Sequence, residues 1–212
     1  MELDEKELSA QMGASLRPRT SQDFDKHYAG APPPWDIGRP QPAFAALAEA
    51  GALSGRVLDV GCGTGEHALM AARLGLAATG VDLVERAIQT ARHKAEERGL
   101  TARFVVGDAL ELEALGEKYG TVLDCGLFHV FEDETRVRFA KSLHAVIEPG
   151  GRYFMLCFSD KQPGDAGPRR IRREEIPATF HEGWQVESME PSKIEILGGF
   201  EAASWTVSLV RK

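Results

Sequence analysis

The chain has 212 residues, 43% of them hydrophobic and 27% charged, the balance of one globular domain long enough to bury a sizeable core. A formal net charge of -7 excludes nucleic acid and anionic membrane surfaces as expected partners, because both are bound through basic faces. The three cysteines Cys62, Cys125 and Cys157 are too scattered for a disulfide framework or a zinc-ligand spacing, so no metal is expected.

The acidic start lacks the basic and apolar stretches of a secretion signal, and no apolar run reaches the length of a membrane span, so a cytoplasmic location is expected. Residues 1–20 read as a mobile arm or a loosely docked helix. DFDKHYAG follows, and then the proline-rich APPPWDIGRPQP (31–42). The prolines fix φ and remove backbone donors, so that stretch is neither a regular helix nor a central strand. An alanine-rich helix is expected from Ala43 to Ala50, closed by Gly51. The first 45 residues are therefore expected to form an arm and lid, and residues 46–212 the main domain.

From there strands and helices alternate. RVLDVG (56–61) reads as a buried strand, and the helix through HALMAARL follows it. AATGVD (77–82) is the second strand, with the helix ERAIQTARHKAEER stopped by Gly99. ARFVVGD (102–108) and TVLDCGLF (121–128) are the third and fourth strands. A helix is expected from Asp133 to Ile147, and GRYFMLCFS (151–159) is the fifth strand. A turn-rich loop, DKQPGDAGPRR, leads to a short helix within RREEIPATF. WQVESME and AASWTVSLV suggest two late strands. The alternation predicts an α/β fold, a mostly parallel sheet with helices on both faces.

Chemistry is concentrated at the ends of these strands. LDVGCGTGEH (58–67) follows a strand and opens a helix. Gly61, Gly63 and Gly65 allow a tight turn and a close approach to a ligand. One residue, not two, separates the second and third glycines, which departs from the dinucleotide fingerprint. Asp82 ends the second strand, where a carboxylate suits ribose hydroxyls; a helix cap is the plainer alternative. Asp108 ends the third strand and is also placed to cap the segment after it.

Asp59, Gly61, Gly63 and Gly65, with Asp82 and Asp108 downstream, resemble the motifs of the class I S-adenosylmethionine-dependent methyltransferases. The resemblance runs from about residue 40 to the end. It implies a Rossmann-like seven-stranded sheet of order 3-2-1-4-5-7-6 with the seventh strand antiparallel, and S-adenosyl-L-methionine as cofactor. Asp59, the three glycines, Asp82, Leu83, Asp108 and Ala109 would then contact that cofactor.

A narrower resemblance lies in HYAGAPPPWDIGRPQPAF. Pro34, Trp35, Asp36, Gly38, Arg39 and Pro42 match a P-W-D-x-G-R-x-x-P stretch of the thiopurine, thiol and halide methyltransferase group. It implies that this segment closes over the cofactor with Trp35 against its methionine end. Tyr28 and Arg39 are the candidate substrate-binding residues, Arg39 through a carboxylate of substrate or cofactor. Packing of Trp35 on the core and an ion pair of Arg39 with Asp36 or a nearby glutamate are the structural alternatives.

In TVLDCGLFHVFEDE, the resemblance implies that Asp124 contacts the cofactor and that Phe128, His129 and Phe131 wall the acceptor site. His129 is the candidate base, with Asp124 as its catalytic companion; a backbone hydrogen bond is the alternative for His129. The expected reaction is methyl transfer to a small molecule, a thiol or other soft nucleophile. O- or N-methylation of a small aromatic is the alternative. The expected assembly is a monomer or homodimer.

Overall fold

The computed structural model describes residues 21–164 and 167–212. The expectation for residues 1–20 lies outside the described residues. The first element is helix α1 (Ser21–Tyr28), a stretch to which the sequence pattern alone assigned no structure. Phe24 and Tyr28 stand one turn apart on it, and both rings meet Trp35 edge-on. Docking against the tryptophan, rather than intrinsic propensity, accounts for this short polar helix.

Helix α2 (Pro42–Glu49) follows the proline-rich segment, with proline in its first turn. It runs across residue 45, the expected boundary between lid and main domain. Then come β1 (Val57–Val60), α3 (Glu66–Arg73), β2 (Ala78–Asp82), α4 (Glu85–Glu97), β3 (Arg103–Val106) and β4 (Tyr119–Cys125). They are followed by α5 (Asp133–Val146), β5 (Ile147–Phe158), α6 (Glu175–Thr179), β6 (Trp184–Ile196) and β7 (Phe200–Arg211). Short 3-10 segments span Ala109–Leu115 and Phe128–Val130.

The seven strands form one sheet in the order β3-β2-β1-β4-β5-β7-β6. β1, β2, β3, β4 and β5 pair in parallel, and β7 runs antiparallel to both β5 and β6. This is the order and the antiparallel seventh strand that the resemblance implied. Every residue of β1 is buried, as a strand covered on both faces requires.

One core lies under α2, α3 and α4 and includes Phe44, Leu69, Ile88 and Phe104. The other lies under α5, α6 and the first 3-10 segment and includes Phe139, Leu143, Ile176 and Tyr153. Each fully buried side chain of this kind contributes roughly 1.5–3 kcal/mol. The buried face of α4 carries Ala87, Ile88, Ala91 and Ala95, small residues at helical spacing that bring it close to the sheet.

Three differences from the sequence-based expectation bear on the site. β4 stops at Cys125, and the expected strand end at 126–128 is instead a turn into the second 3-10 segment. The late strands are longer than predicted, and their hairpin turns at Leu197–Gly199. That hairpin meets the lid: Leu197 N–H donates to the Pro34 carbonyl at 2.8 Å. The strand order reverses between β1 and β4, where open α/β sheets place their ligand crevice.

Candidate active site

A cavity of about 390 Å³ opens at that switch point. Its floor is the glycine turn after β1. In that turn Gly61, Gly63 and Gly65 all hold positive φ. A Cβ at Gly63 would stand 2.9 Å from the Tyr28 hydroxyl, so the missing side chain is what keeps the turn open to the lid and the cavity. Gly65 serves packing instead. A Cβ there would collide with Phe104 at 2.6 Å and Ala91 at 2.9 Å, beneath the cavity. Gly61 and Gly63 line the cavity and Gly65 does not, so its expected cofactor contact is corrected to close packing of turn against sheet.

Asp82 secures the turn from the next strand. Its Oδ2 accepts from Gly63 N–H at 2.8 Å, and its Oδ1 accepts from Val84 N–H at 2.9 Å. Each oxygen keeps a lone pair for a ligand hydroxyl. Burial holds this carboxyl above the ordinary carboxylate range, against the pull of those backbone donors. Leu83, half open to solvent, and Ala109 add apolar walls beside it. Asp108 lines the same end, and its Oδ1 accepts from Leu110 N–H at 2.8 Å. It is therefore a cap, with its second oxygen uncommitted by that bond.

Asp59 was expected to contact the cofactor and does not reach the cavity. It is 1% exposed and accepts from Ala68 N–H at 3.1 Å, tying the first turn of α3 to β1. Burial pushes its pKa up to about 7. His67 lies nearby with its Nε2 accepting from Gln41 N–H at 3.2 Å, and burial pushes its pKa down to about 4.

The proline-rich segment lines the cavity through Pro34, Trp35, Asp36, Ile37, Arg39 and Gln41. The indole N–H of Trp35 donates to the Tyr28 hydroxyl at 3.1 Å, and His27 meets the same ring edge-on. Tyr28, expected on the substrate side, lines the cavity with its hydroxyl beside Gly63. Burial, and next the charge of Asp82, push its hydroxyl pKa well up. Arg39 lies at the rim, paired with Glu195 of β6 as the structural alternative foresaw. Sequence reasoning missed Gln41. Its side-chain amide donates to the Glu195 carbonyl at 2.9 Å and accepts from Glu195 N–H at 2.8 Å. A buried glutamine between two prolines that cannot donate was the available signal: its side chain takes over the pairing the backbone lacks.

The end of β4 corrects two more expectations. Asp124 is fully buried behind the cavity wall. Its carboxylate accepts from the Tyr153 hydroxyl at 2.7 Å, from Leu127 N–H at 2.8 Å and from Phe128 N–H at 3.2 Å. Burial still pushes its pKa up to about 7. Asp124 shapes the turn that carries the wall and does not line the cavity, so its expected cofactor-contacting and catalytic roles are corrected to holding that turn. Phe128 is also fully buried, between Phe180 and the Arg136 guanidinium, and is no part of the cavity surface. Leu127, His129, Phe131 and Phe158 form that surface instead. The Nδ1 of His129 accepts from Phe158 N–H at 3.0 Å. In the neutral ring the proton then sits on Nε2.

The arrangement fits S-adenosylmethionine. A glycine turn with an open face, a ribose-height carboxylate at the end of β2, a capping carboxylate among apolar side chains after β3 and an indole at the mouth suit its charged and flat parts. Among the described residues no group of His, Cys, Asp and Glu is placed to hold a metal ion, and no helix is long and apolar enough to cross a membrane.

Comparison with known proteins agrees with this geometry. A family model described as a methyltransferase domain matches residues 57–151. A 2-heptyl-1-hydroxyquinolin-4(1H)-one methyltransferase of Mycobacteroides abscessus is 35% identical over 189 residues, covering 84% of this chain and 83% of that protein. A probable thiol methyltransferase of Arabidopsis thaliana is 29% identical, covering 87% of this chain and 76% of that protein. A solved structure from work on the conversion of a disulfide bond into a thioacetal group during echinomycin biosynthesis superposes with a TM-score of 0.83. It is 38% identical and covers 91% of this chain and 93% of that one.

Proposed function

The chain belongs to the class I S-adenosylmethionine-dependent methyltransferases that act on small molecules, and from that premise we propose that its acceptor is a small, largely apolar thiol or similarly soft anion that ionises without help from the protein. The observation that carries the reading is the bond from Phe158 N–H to His129 Nδ1. It leaves the ring with a proton on Nε2, a donor rather than a base. With Asp124 sealed behind the wall, the end of β4 supports an acceptor that already carries its negative charge.

The bound cofactor supplies an electrophilic methyl group on a sulfonium. The chain's own residues bind and orient. Gly61 and Gly63 would let the backbone approach, Asp82 would accept from the ribose, and Asp108, Leu83 and Ala109 would hold the adenine. Trp35 and Tyr28 would cover the methionine end, and Phe131 and Phe158 would offer the acceptor an apolar wall. Excluding water there removes solvation that would stabilise a small anion more than the spread charge of its transition state. A thiol, with a pKa of about 8.5, is already partly ionised near neutral pH.

A second reading is O-methylation of an acidic heteroaromatic hydroxyl. The hydroxyquinolinone methyltransferase at 35% identity favours it, and the aromatic lining of the cavity accommodates a flat ring. The test is a labelled-methyl assay with alkyl and aryl thiols, an N-hydroxyquinolone and simple phenols at matched concentration. Turnover of thiols above phenols supports the proposal. Turnover of the N-hydroxyquinolone alone replaces it with the second reading, and preference for simple phenols overturns both.

A further inference from the structure

Thr64 is the residue between the second and third glycines of the turn, and its side chain joins three elements. Its hydroxyl donates to Asp36 Oδ2 at 2.8 Å and accepts from Lys94 Nζ at 2.7 Å. Asp36 belongs to the lid, directly after Trp35, and its other oxygen accepts from Gly38 N–H at 3.1 Å. Lys94 lies on α4, outside the cavity, and its ammonium also meets Glu66 Oε1 at 2.8 Å. Glu66 in turn is held by both guanidinium nitrogens of Arg98, at 2.7 and 2.8 Å.

The chain of contacts thus runs from lid to glycine turn to α4 and returns to the first turn of α3. Two anions, Asp36 and Glu66, face two cations, Lys94 and Arg98, around one neutral hydroxyl. The side chains of Asp36, Lys94 and Glu66 are 14%, 17% and 8% exposed, so solvent screens these contacts little. Outside this cluster the lid is held by Pro34, Arg39 and Gln41 on the end of β6 and by Gln41 N–H on His67 of α3. Without Thr64, Trp35 would be tied to the hairpin and to α1 but not to the turn that receives the cofactor.

We propose that Lys94 and Thr64 are positioning residues that latch the lid to the glycine turn, so that the conformation of the turn and the closure of Trp35 over the cofactor are one coupled event. Lys94 fixes the direction of the hydroxyl: by donating to Thr64 Oγ1 it leaves the hydroxyl proton for Asp36. The inference rests on the family's use of S-adenosylmethionine and not on which acceptor is methylated.

The chain supplies its own probe. Trp184 and Trp205 are each 5% exposed and Trp35 is 36% exposed, so a collisional quencher such as acrylamide reads chiefly the lid. Without ligand, Thr64→Val and Lys94→Met raise quenching of Trp35, and Thr64→Ser restores wild-type protection because it keeps the hydroxyl. Binding of S-adenosylhomocysteine, measured by calorimetry, weakens by about tenfold in Thr64→Val and Lys94→Met, the scale of one hydrogen bond to a charged group. Combining Thr64→Val with Asp36→Asn adds little to either alone, as a shared contact demands. Circular dichroism confirms that each variant is folded before it is read. Unchanged quenching and affinity in a folded Thr64→Val, or a Thr64→Ser variant as open as Thr64→Val, would overturn the latch.

Discussion

Phe158 N–H donates to His129 Nδ1 at 3.0 Å, so the backbone of strand β5 decides which nitrogen of the ring carries the proton. For His129 to act as a base through Nε2, its proton would have to move to Nδ1, facing a second donor. His129→Ala is therefore expected to slow methylation of a thiol by less than about tenfold, whereas loss of a general base costs about 10²-fold or more. The pH–rate profile of the wild type should follow ionisation of the thiol acceptor, and the variant should keep that profile. A profile that loses its shape in His129→Ala would restore the base.

Asp82 holds the turn and, in the proposed site, the ribose. Asp82→Ala is expected to weaken S-adenosylhomocysteine binding by about 1–3 kcal/mol. Asp82→Asn should rescue little, because its amide group would set a donor against Gly63 N–H or Val84 N–H, which both donate to the native carboxylate. Calorimetry with both variants decides this, and unchanged affinity in Asp82→Ala would remove the residue from the site.

The alternation of strands and helices and the glycine turn were legible because each rests on a local pattern, buried runs between glycines and a carboxylate at a strand end; the strand order and the antiparallel last strand came from the resemblance that those motifs carry. The roles of Asp59 and Asp124 were not legible. A buried aspartate that binds backbone N–H groups and one that binds a ligand read alike in sequence, since both end or precede a turn. Only the third dimension shows Asp59 buried against Ala68 N–H, and Asp124 buried against Leu127, Phe128 and Tyr153, both away from the cavity. Gln41 and Thr64 were missed for a related reason. Their partners, Glu195 and Lys94, lie far along the chain and are brought close by the hairpin and by α4.

Gln41 gives a prediction on stability rather than catalysis. Gln41→Ala leaves the N–H and the carbonyl of Glu195 without the partners they have now. A cost of about 1–3 kcal/mol is expected for such unpaired groups. The midpoint of urea unfolding should fall accordingly, with the slope unchanged. A midpoint equal to that of the wild type would mean that water replaces the side chain at no cost.

Asp124 predicts a pH dependence. Burial raises its pKa from an ordinary 3.8 to about 7 in the folded chain. The folded state therefore holds a proton that the unfolded state has released, and this contribution to stability is complete below about pH 4 and lost as pH rises through about 7. Asp124→Asn carries no such charge. It is destabilised overall, because its amide cannot accept from the Tyr153 hydroxyl, Leu127 N–H and Phe128 N–H together. Its deficit relative to wild type should nevertheless shrink between pH 5 and pH 8, read by thermal unfolding at fixed ionic strength. A deficit that grows with pH would show that the carboxylate is ionised at low pH in the fold.

The acceptor itself can be tested through the ionisation that the proposal requires. Within a series of substituted alkyl thiols of similar size, with pKa values from about 8.5 downward, lowering the thiol pKa raises the fraction present as thiolate at pH 7, while each thiolate becomes a weaker nucleophile. If the chain binds the anion and adds no base, kcat/KM at neutral pH should rise as the pKa falls toward 7 and then level off or decline. The same series at pH 9, where every member is mostly ionised, should lose that rise. Deuterated solvent should slow the reaction little, because no proton moves in the rate-limiting displacement. Phenols of matching shape, with pKa values near 10, should be turned over slowly at pH 7 and gain with pH. A phenol series that reacts as fast as the thiols at pH 7, with a large solvent isotope effect, would show that the protein removes the proton. The protein would then supply a base, and the thiol assignment would fall.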